Sequence, residues 1–177
     1  HGASSAFVTV LLKNFSRRLR REFRPSMLTS PGEILAWINR ELLEQKMDKH
    51  VAMILGVGNL ETEEIQLVNG GHYPPAILIR SGVSEFVEQK GKPVGLFEEV
   101  SYDARALRLD AGDRLVMFSD GVMDVMGTGD LAGKEQRLLQ AASEGGNVEE
   151  MWSLLGMDLN AGNRPDDMTC LLVQKES

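Results

Sequence analysis

The chain has 177 residues, of which 42% are hydrophobic and 25% charged, enough for one globular domain with a sizeable core. A formal net charge of −7 argues against nonspecific binding to nucleic acid or to acidic membranes, and no segment approaches the ~18 apolar residues of a membrane span. The single cysteine, Cys170, excludes an intrachain disulfide, and no secretory signal pattern stands at the start, so a reducing, cytoplasmic setting is expected.

The period of the apolar residues divides the chain into elements. Phe7, Leu11, Phe15, Leu19 and Phe23 recur every four residues and predict a helix over 4–24. Its second half carries Lys13, Arg17, Arg18, Arg20, Arg21 and Arg24, read as a solvated face whose cations favour the helix C-terminus. Ser30-Pro31-Gly32-Glu33 predicts a second helix start, with Ser30 as cap, Pro31 at the first position and Glu33 closing a capping box. That helix should run to about Lys46 and bury Ile34, Leu35, Ile38 and Leu42.

From residue 51 the period changes to that of strands, predicted over 51–58, 63–69, 76–80, 84–88, 102–109 and 114–119. The connections between successive pairs are short, including Ser81-Gly82-Val83 and Asp110-Ala111-Gly112-Asp113, so antiparallel pairing is expected across each. Residues 125–133 read as a loop, 134–144 and 147–161 as helices, 160–165 as a further loop and 168–174 as a closing strand with Cys170 inside it. The order of two helices, six strands, two helices and one strand is that of an α+β fold with mainly antiparallel sheets covered by helices.

The stretch Phe118-Ser119-Asp120-Gly121-Val122-Met123-Asp124 carries the most chemistry. An aspartate at the tip of a buried strand is costly unless its charge is compensated, and Asp124 adds a second carboxylate four residues on. Asp166-Asp167 stand immediately before the closing strand. Antiparallel pairing of the two strands would bring these carboxylates together, and an all-oxygen cluster suits Mg²⁺, Mn²⁺ or Ca²⁺. His1, His50 and His72 show no zinc-ligand spacing. On spacing alone, a strand-end turn and a capped loop account for these aspartates equally well. The turn Asn69-Gly70-Gly71-His72-Tyr73-Pro74-Pro75 leaves His72 either facing a site or bonded to backbone, and Gly91-Lys92-Pro93-Val94-Gly95-Leu96 lacks the spacing of a phosphate-binding P-loop.

Taken in order, these motifs resemble the PPM-type metal-dependent Ser/Thr protein phosphatases, in their bacterial SpoIIE/RsbU-like branch. That branch typically shows "NAGHPP", "GxPLG", "L-x-x-GD-x-L-x-x-x-(S/T)DG-x-x-(D/E)" and "DD-x-T". Here they stand as Asn69 to Pro74, Gly91 to Gly95, residues 109–124 and Asp166-Asp167-Met168-Thr169, with Gly70 and Val94 as small departures. The resemblance implies two mainly antiparallel β-sheets packed as a sandwich and flanked by α-helices, as a single domain over 1–177. It implies that Asp120 and Asp166 are metal ligands and that Asp124 helps hold an additional ion. Gly121, Asp167 and His72 would support the turns. Two Mn²⁺ or Mg²⁺ ions are the implied cofactors, and hydrolysis of phosphoserine or phosphothreonine the implied reaction.

His1-Gly2-Ala3-Ser4-Ser5-Ala6 looks like the tail of the family's "D-V-S-G-H-G-x-x-A-A" motif, so the chain is expected to be truncated before its first strands and one ligand aspartate. Weak metal binding and negligible activity are expected of the segment alone. The parent is expected to be a bacterial signalling protein with an N-terminal receiver or sensor domain. Its substrate would be a phosphorylated regulatory protein such as an anti-sigma factor antagonist; dimerisation is left open, and neither nucleic acid nor membrane is expected as a partner. The alternative is a catalytically inactive phosphatase-like adaptor that binds a sigma factor or another regulatory partner.

Overall fold

The computed structural model describes residues 3–22, 30–46, 49–157 and 168–175, the side chains of 3–8 and 22 aside. In chain order the elements are α1 (Ala3–Glu22), α2 (Pro31–Glu44), β1 (Met53–Asn59), β2 (Glu64–Gly70), β3 (Ile77–Arg80), β4 (Val83–Phe86), β5 (Arg105–Arg108), β6 (Arg114–Phe118), α3 (Gly121–Val125), α4 (Leu131–Glu144), α5 (Val148–Leu154) and β7 (Cys170–Gln174). They fall into two compact units, His1–His72 with Gln89–Arg108, and Tyr73–Glu88 with Leu109–Ser177. Each holds one antiparallel sheet and its own helices, and the α+β class expected from the sequence is the one observed.

In the first unit the sheet order is β1-β2-β5. The apolar stripe of α2 buries Ile34, Leu35, Ile38 and Leu42 together with Val68 of β2 and Val94, each such side chain stabilising by ~1.5–3 kcal/mol relative to exposure. Phe15 of α1 joins this core and meets Trp37 of α2 edge-on at 5.4 Å. Arg18 lies 5.2 Å over the Trp37 ring and pairs with Glu41 at 2.8 Å, so part of the basic face of α1 is committed to α2. The capping box expected at Ser30 does not form. Ser30 makes no side-chain cap; its backbone carbonyl accepts from the Glu33 and Ile34 amides, so the Glu33 amide that a cap would serve is taken by the backbone instead.

In the second unit the order is β4-β3-β6-β7. The β3–β4 hairpin turns on Ser81 and Gly82, both at positive φ (51° and 79°), the requirement of a two-residue turn matched to strand twist. One face of the sheet buries Ile77, Ile79, Val116 and Phe118 against Leu138, Ala141 and Ala142 of α4 and Met151 and Trp152 of α5. Phe118 and Trp152 make an edge-to-face pair at 5.5 Å.

Three local expectations are corrected. β5 and β6 flank the Asp110–Asp113 turn but do not pair. β5 joins β2, with Ile65 opposite Leu107, whereas β6 lies between β3 and β7. The turn forms as read, but its outward bonds go to the second sheet: Gly112 donates to the Lys175 carbonyl and Asp113 takes Arg80. A short connection fixes the proximity of two strand ends, not their pairing. Secondly, α4 begins at Leu131, inside the expected loop, because Asp130 caps it by accepting from the Gly133 amide at 2.9 Å. Thirdly, α5 ends at Leu154, closed by Gly156 at φ 77°, and the predicted continuation beyond 157 lies outside the described residues.

Candidate metal centre

β6 carries the chain from a buried strand into the Asp120 region. Phe118 is opposite Cys170, the Ser119 amide donates to the Thr169 carbonyl at 2.9 Å, and the Thr169 amide donates to Ser119 Oγ at 2.9 Å. The start of the closing strand is thereby tied to the residue before Asp120. Asp166 and Asp167 precede Thr169 by three and two residues and lie outside the described residues, as does the expected meeting of Asp120 with Asp166.

Asp120 has helical backbone angles (φ −57°, ψ −32°) and its Oδ1 accepts from the Gly121 amide at 3.0 Å, starting α3. The sequence reading took Gly121 only as a sharp turn and missed this helix, which is five residues long. Helical geometry over 120–124 puts Asp120 and Asp124 one turn apart on one face. Both are exposed. The cost of burying a charge therefore does not bear on Asp120, contrary to the reading from the strand pattern. What bears on it is the repulsion of two carboxylates one helical turn apart, ~0.2–0.5 kcal/mol in an isolated helix. The donor set is all carboxylate oxygen, open to solvent, which in type fits a hard divalent cation. Among the described residues no three His, Cys, Asp or Glu side chains form a metal-holding group, so these residues supply a pair and not a complete shell.

The other motifs are held by internal hydrogen bonds. Asn69 is buried: its Oδ1 accepts from the His72 amide at 2.7 Å, and its Nδ2 donates to the carbonyls of His72 (3.1 Å) and Gln89 (3.2 Å). The tight turn ends in a cis Tyr73–Pro74 bond. Burial and a 2.7 Å hydrogen bond to Glu135 push the Tyr73 phenol up to about 12, so it stays protonated at neutral pH. In the Gly91–Leu96 loop, Val94 is buried and exchanges two 2.8 Å backbone bonds with Val51. Burial pushes the Cys170 thiol up to about 11, which makes it a poor nucleophile.

Sequence reading missed Asn39. Its Oδ1 accepts from the Gly95 amide at 2.7 Å and its Nδ2 donates to the Phe97 carbonyl at 2.9 Å, pinning the glycine-rich loop to α2. The signal was present: Asn39 is a polar residue inside the apolar stripe of Leu35, Ile38 and Leu42. Lys134 and Arg137, which reach the carbonyls of α3, had no such signal.

Residues 1–176 match the family model described as Stage II sporulation protein E (SpoIIE). The chain belongs to the SpoIIE family. Phosphoserine phosphatase RsbP of Bacillus subtilis (strain 168) is 28% identical over 131 residues, covering 70% of this chain and 31% of RsbP. Among solved structures, the RsbU and RsbW domains of Rv1364c from Mycobacterium tuberculosis superpose with a TM-score of 0.77 at 21% identity, over 99% of this chain and 49% of that one. The Mn-presoaked phosphatase domain of SpoIIE from Bacillus subtilis gives 0.56 at 16% identity, over 93% and 73%. This SpoIIE-family chain therefore has the fold of the PPM phosphatases and spans about a third of the length of RsbP.

Proposed function

We propose that this SpoIIE-family chain is a metal-dependent protein serine/threonine phosphatase domain, acting on a phosphorylated regulatory protein such as an anti-sigma factor antagonist within a bacterial signalling protein. The observation that carries the reading is the family match over residues 1–176 joined to the Asp120–Asp124 pair on one helical face. RsbP is named a phosphoserine phosphatase, and the solved Rv1364c structure holds an RsbU domain together with an RsbW domain, which supports a regulatory protein partner.

In this reading residues 1–177 are one phosphatase domain, attached in the parent to a receiver or sensor domain. Asp120 and Asp166 would hold Mn²⁺ or Mg²⁺, Asp124 would contribute to a further ion, and Gly121, Asp167 and His72 would support the turns around them. The chemistry such ions supply is Lewis-acid activation of water and neutralisation of charge on the phosphoryl group. The chain's own part is to keep carboxylates at a solvent-open sheet rim where a phosphorylated side chain can reach, with no cysteine nucleophile required.

The test is Mn²⁺-dependent hydrolysis of a phosphoserine peptide and of a phosphorylated anti-sigma factor antagonist by the full-length protein, with Asp120→Asn and Asp166→Asn alongside. Metal-dependent turnover lost in both variants is expected. Turnover that ignores chelator, or full activity of Asp120→Asn, would overturn the reading. Binding of the antagonist with no turnover under any metal would favour the adaptor alternative.

A further inference from the structure

A helix of five residues cannot hold its own geometry in water, since isolated helices below ~12–15 residues are marginal. The position of Asp124 must then come from what grips α3. Val122 and Met126 are buried in the core of the second unit beside Leu138 and Ala141 of α4, which fixes the apolar side of the turn. The polar side is gripped by two cations from the same helix. Lys134 Nζ donates to the Met123 carbonyl at 2.7 Å. Arg137 donates through one nitrogen to the Met126 carbonyl at 3.2 Å and through the other to the Leu155 carbonyl at 3.2 Å, so its fork joins the C-terminal ends of α3 and α5. Met123 and Met126 bracket Asp124 in sequence.

Carbonyls at a helix C-terminus have no intrahelical donors and carry partial negative charge, which is what a lysine or arginine satisfies. Neither cation is spent on a carboxylate in these bonds. They neutralise the end of α3 without pairing with Asp120 or Asp124, and so leave both carboxylates available.

We propose that Lys134 and Arg137 are positioning residues: they clamp the last turn of α3 and thereby set the separation of the Asp120 and Asp124 carboxylates for a divalent cation. This rests on the reading of those aspartates as metal ligands. Groups that orient ligands typically change metal affinity by ~10–100-fold when removed, and a clamp acting through the backbone belongs at the low end.

The test is Mn²⁺ titration of the full-length protein, following the free-ion electron paramagnetic resonance signal, with thermal unfolding measured in chelator. Lys134→Met keeps the apolar stem and deletes the donor, and it should weaken Mn²⁺ binding about tenfold. Arg137→Met should do likewise, and Lys134→Arg should restore most of the affinity. Ser84→Ala removes a 2.7 Å bond to the Leu139 carbonyl, loosening α4 without touching α3, and should leave Mn²⁺ affinity unchanged. Wild-type affinity in Lys134→Met, with binding lost in Asp120→Asn, would overturn the clamp while sparing the metal reading. Equal weakening by Ser84→Ala would overturn it too, by reducing the effect to helix stability. Failure of the wild-type protein to bind Mn²⁺, or unchanged binding by Asp120→Asn, would remove the metal reading and the clamp together.

Discussion

The two units stabilise their irregular segments with different chemistry. In the first, side-chain amides do it: the buried Asn39 holds Gly95 and Phe97, the buried Asn69 holds His72 and Gln89, and the half-buried Gln89 donates through Nε2 to the carbonyls of Leu67 and Asp103. In the second, charges do it: Asp113 takes Arg80, Arg114 donates to the carbonyls of Ala142, Ser143 and Gly145, and Lys134 and Arg137 hold α3. The difference follows from what each segment exposes. A glycine-rich loop presents both N–H and C=O groups, and one amide can accept from the first and donate to the second without desolvating a charge. The C-terminal ends of helices present only carbonyls, for which a cation is the better donor. The candidate metal carboxylates lie in the unit already built on charges.

That contrast can be broken or sharpened by substitution. The largest effect is expected at Asp120: Asp120→Asn keeps the acceptor for the Gly121 amide but loses the charge, and kcat should fall by about 100-fold or more with little change in unfolding temperature. A phosphatase assay with parallel calorimetry checks this, and equal activity would remove the second unit from the chemistry. Next, Asn39→Ala should cost about 3 kcal/mol in denaturant unfolding, because the buried Gly95 amide and the Phe97 carbonyl lose their partner together. A cost below about 1 kcal/mol would mean the loop does not depend on α2.

Gly95 and Gly112 form a matched pair, both at φ 86°. An added Cβ at Gly112 meets nothing within 4 Å, so Gly112→Ala should cost only the ~1–2 kcal/mol of the left-handed backbone. At Gly95 the Cβ would lie 3.0 Å from Leu42 Cβ, so Gly95→Ala should cost more. Equal losses would show that the loop in the first unit yields.

The smallest effect is confined to acid. Burial works against the charged form of Asp113, but the Asp110 amide and the Arg80 guanidinium outweigh it and hold the carboxyl below its usual range. A depressed folded value gives stability that is present above the unfolded value of ~3.9 and is lost as pH falls through the folded one. Asp113→Asn should therefore flatten the acid limb of the stability profile, while Asn39→Ala should leave its slope unchanged. A steep limb in Asp113→Asn would assign acid sensitivity elsewhere.

The sequence by itself determined the elements whose cause is local. The apolar stripe at Ile34, Leu35, Ile38 and Leu42 requires a helix buried on one side, the strand-period runs require strands, and Ser81-Gly82-Val83 marks a hairpin, which the structure closes on Ser81 and Gly82. Four motifs in fixed order were enough to point to the family, and the match over 1–176 agrees. Tertiary structure alone decided which strands pair across the Asp110–Asp113 turn, since pairing depends on long-range burial that a short connection does not encode. It also decided that Asp120 is exposed and that α3 exists, because a five-residue helix owes its stability to Val122, Met126 and two cations from α4 rather than to its own residues.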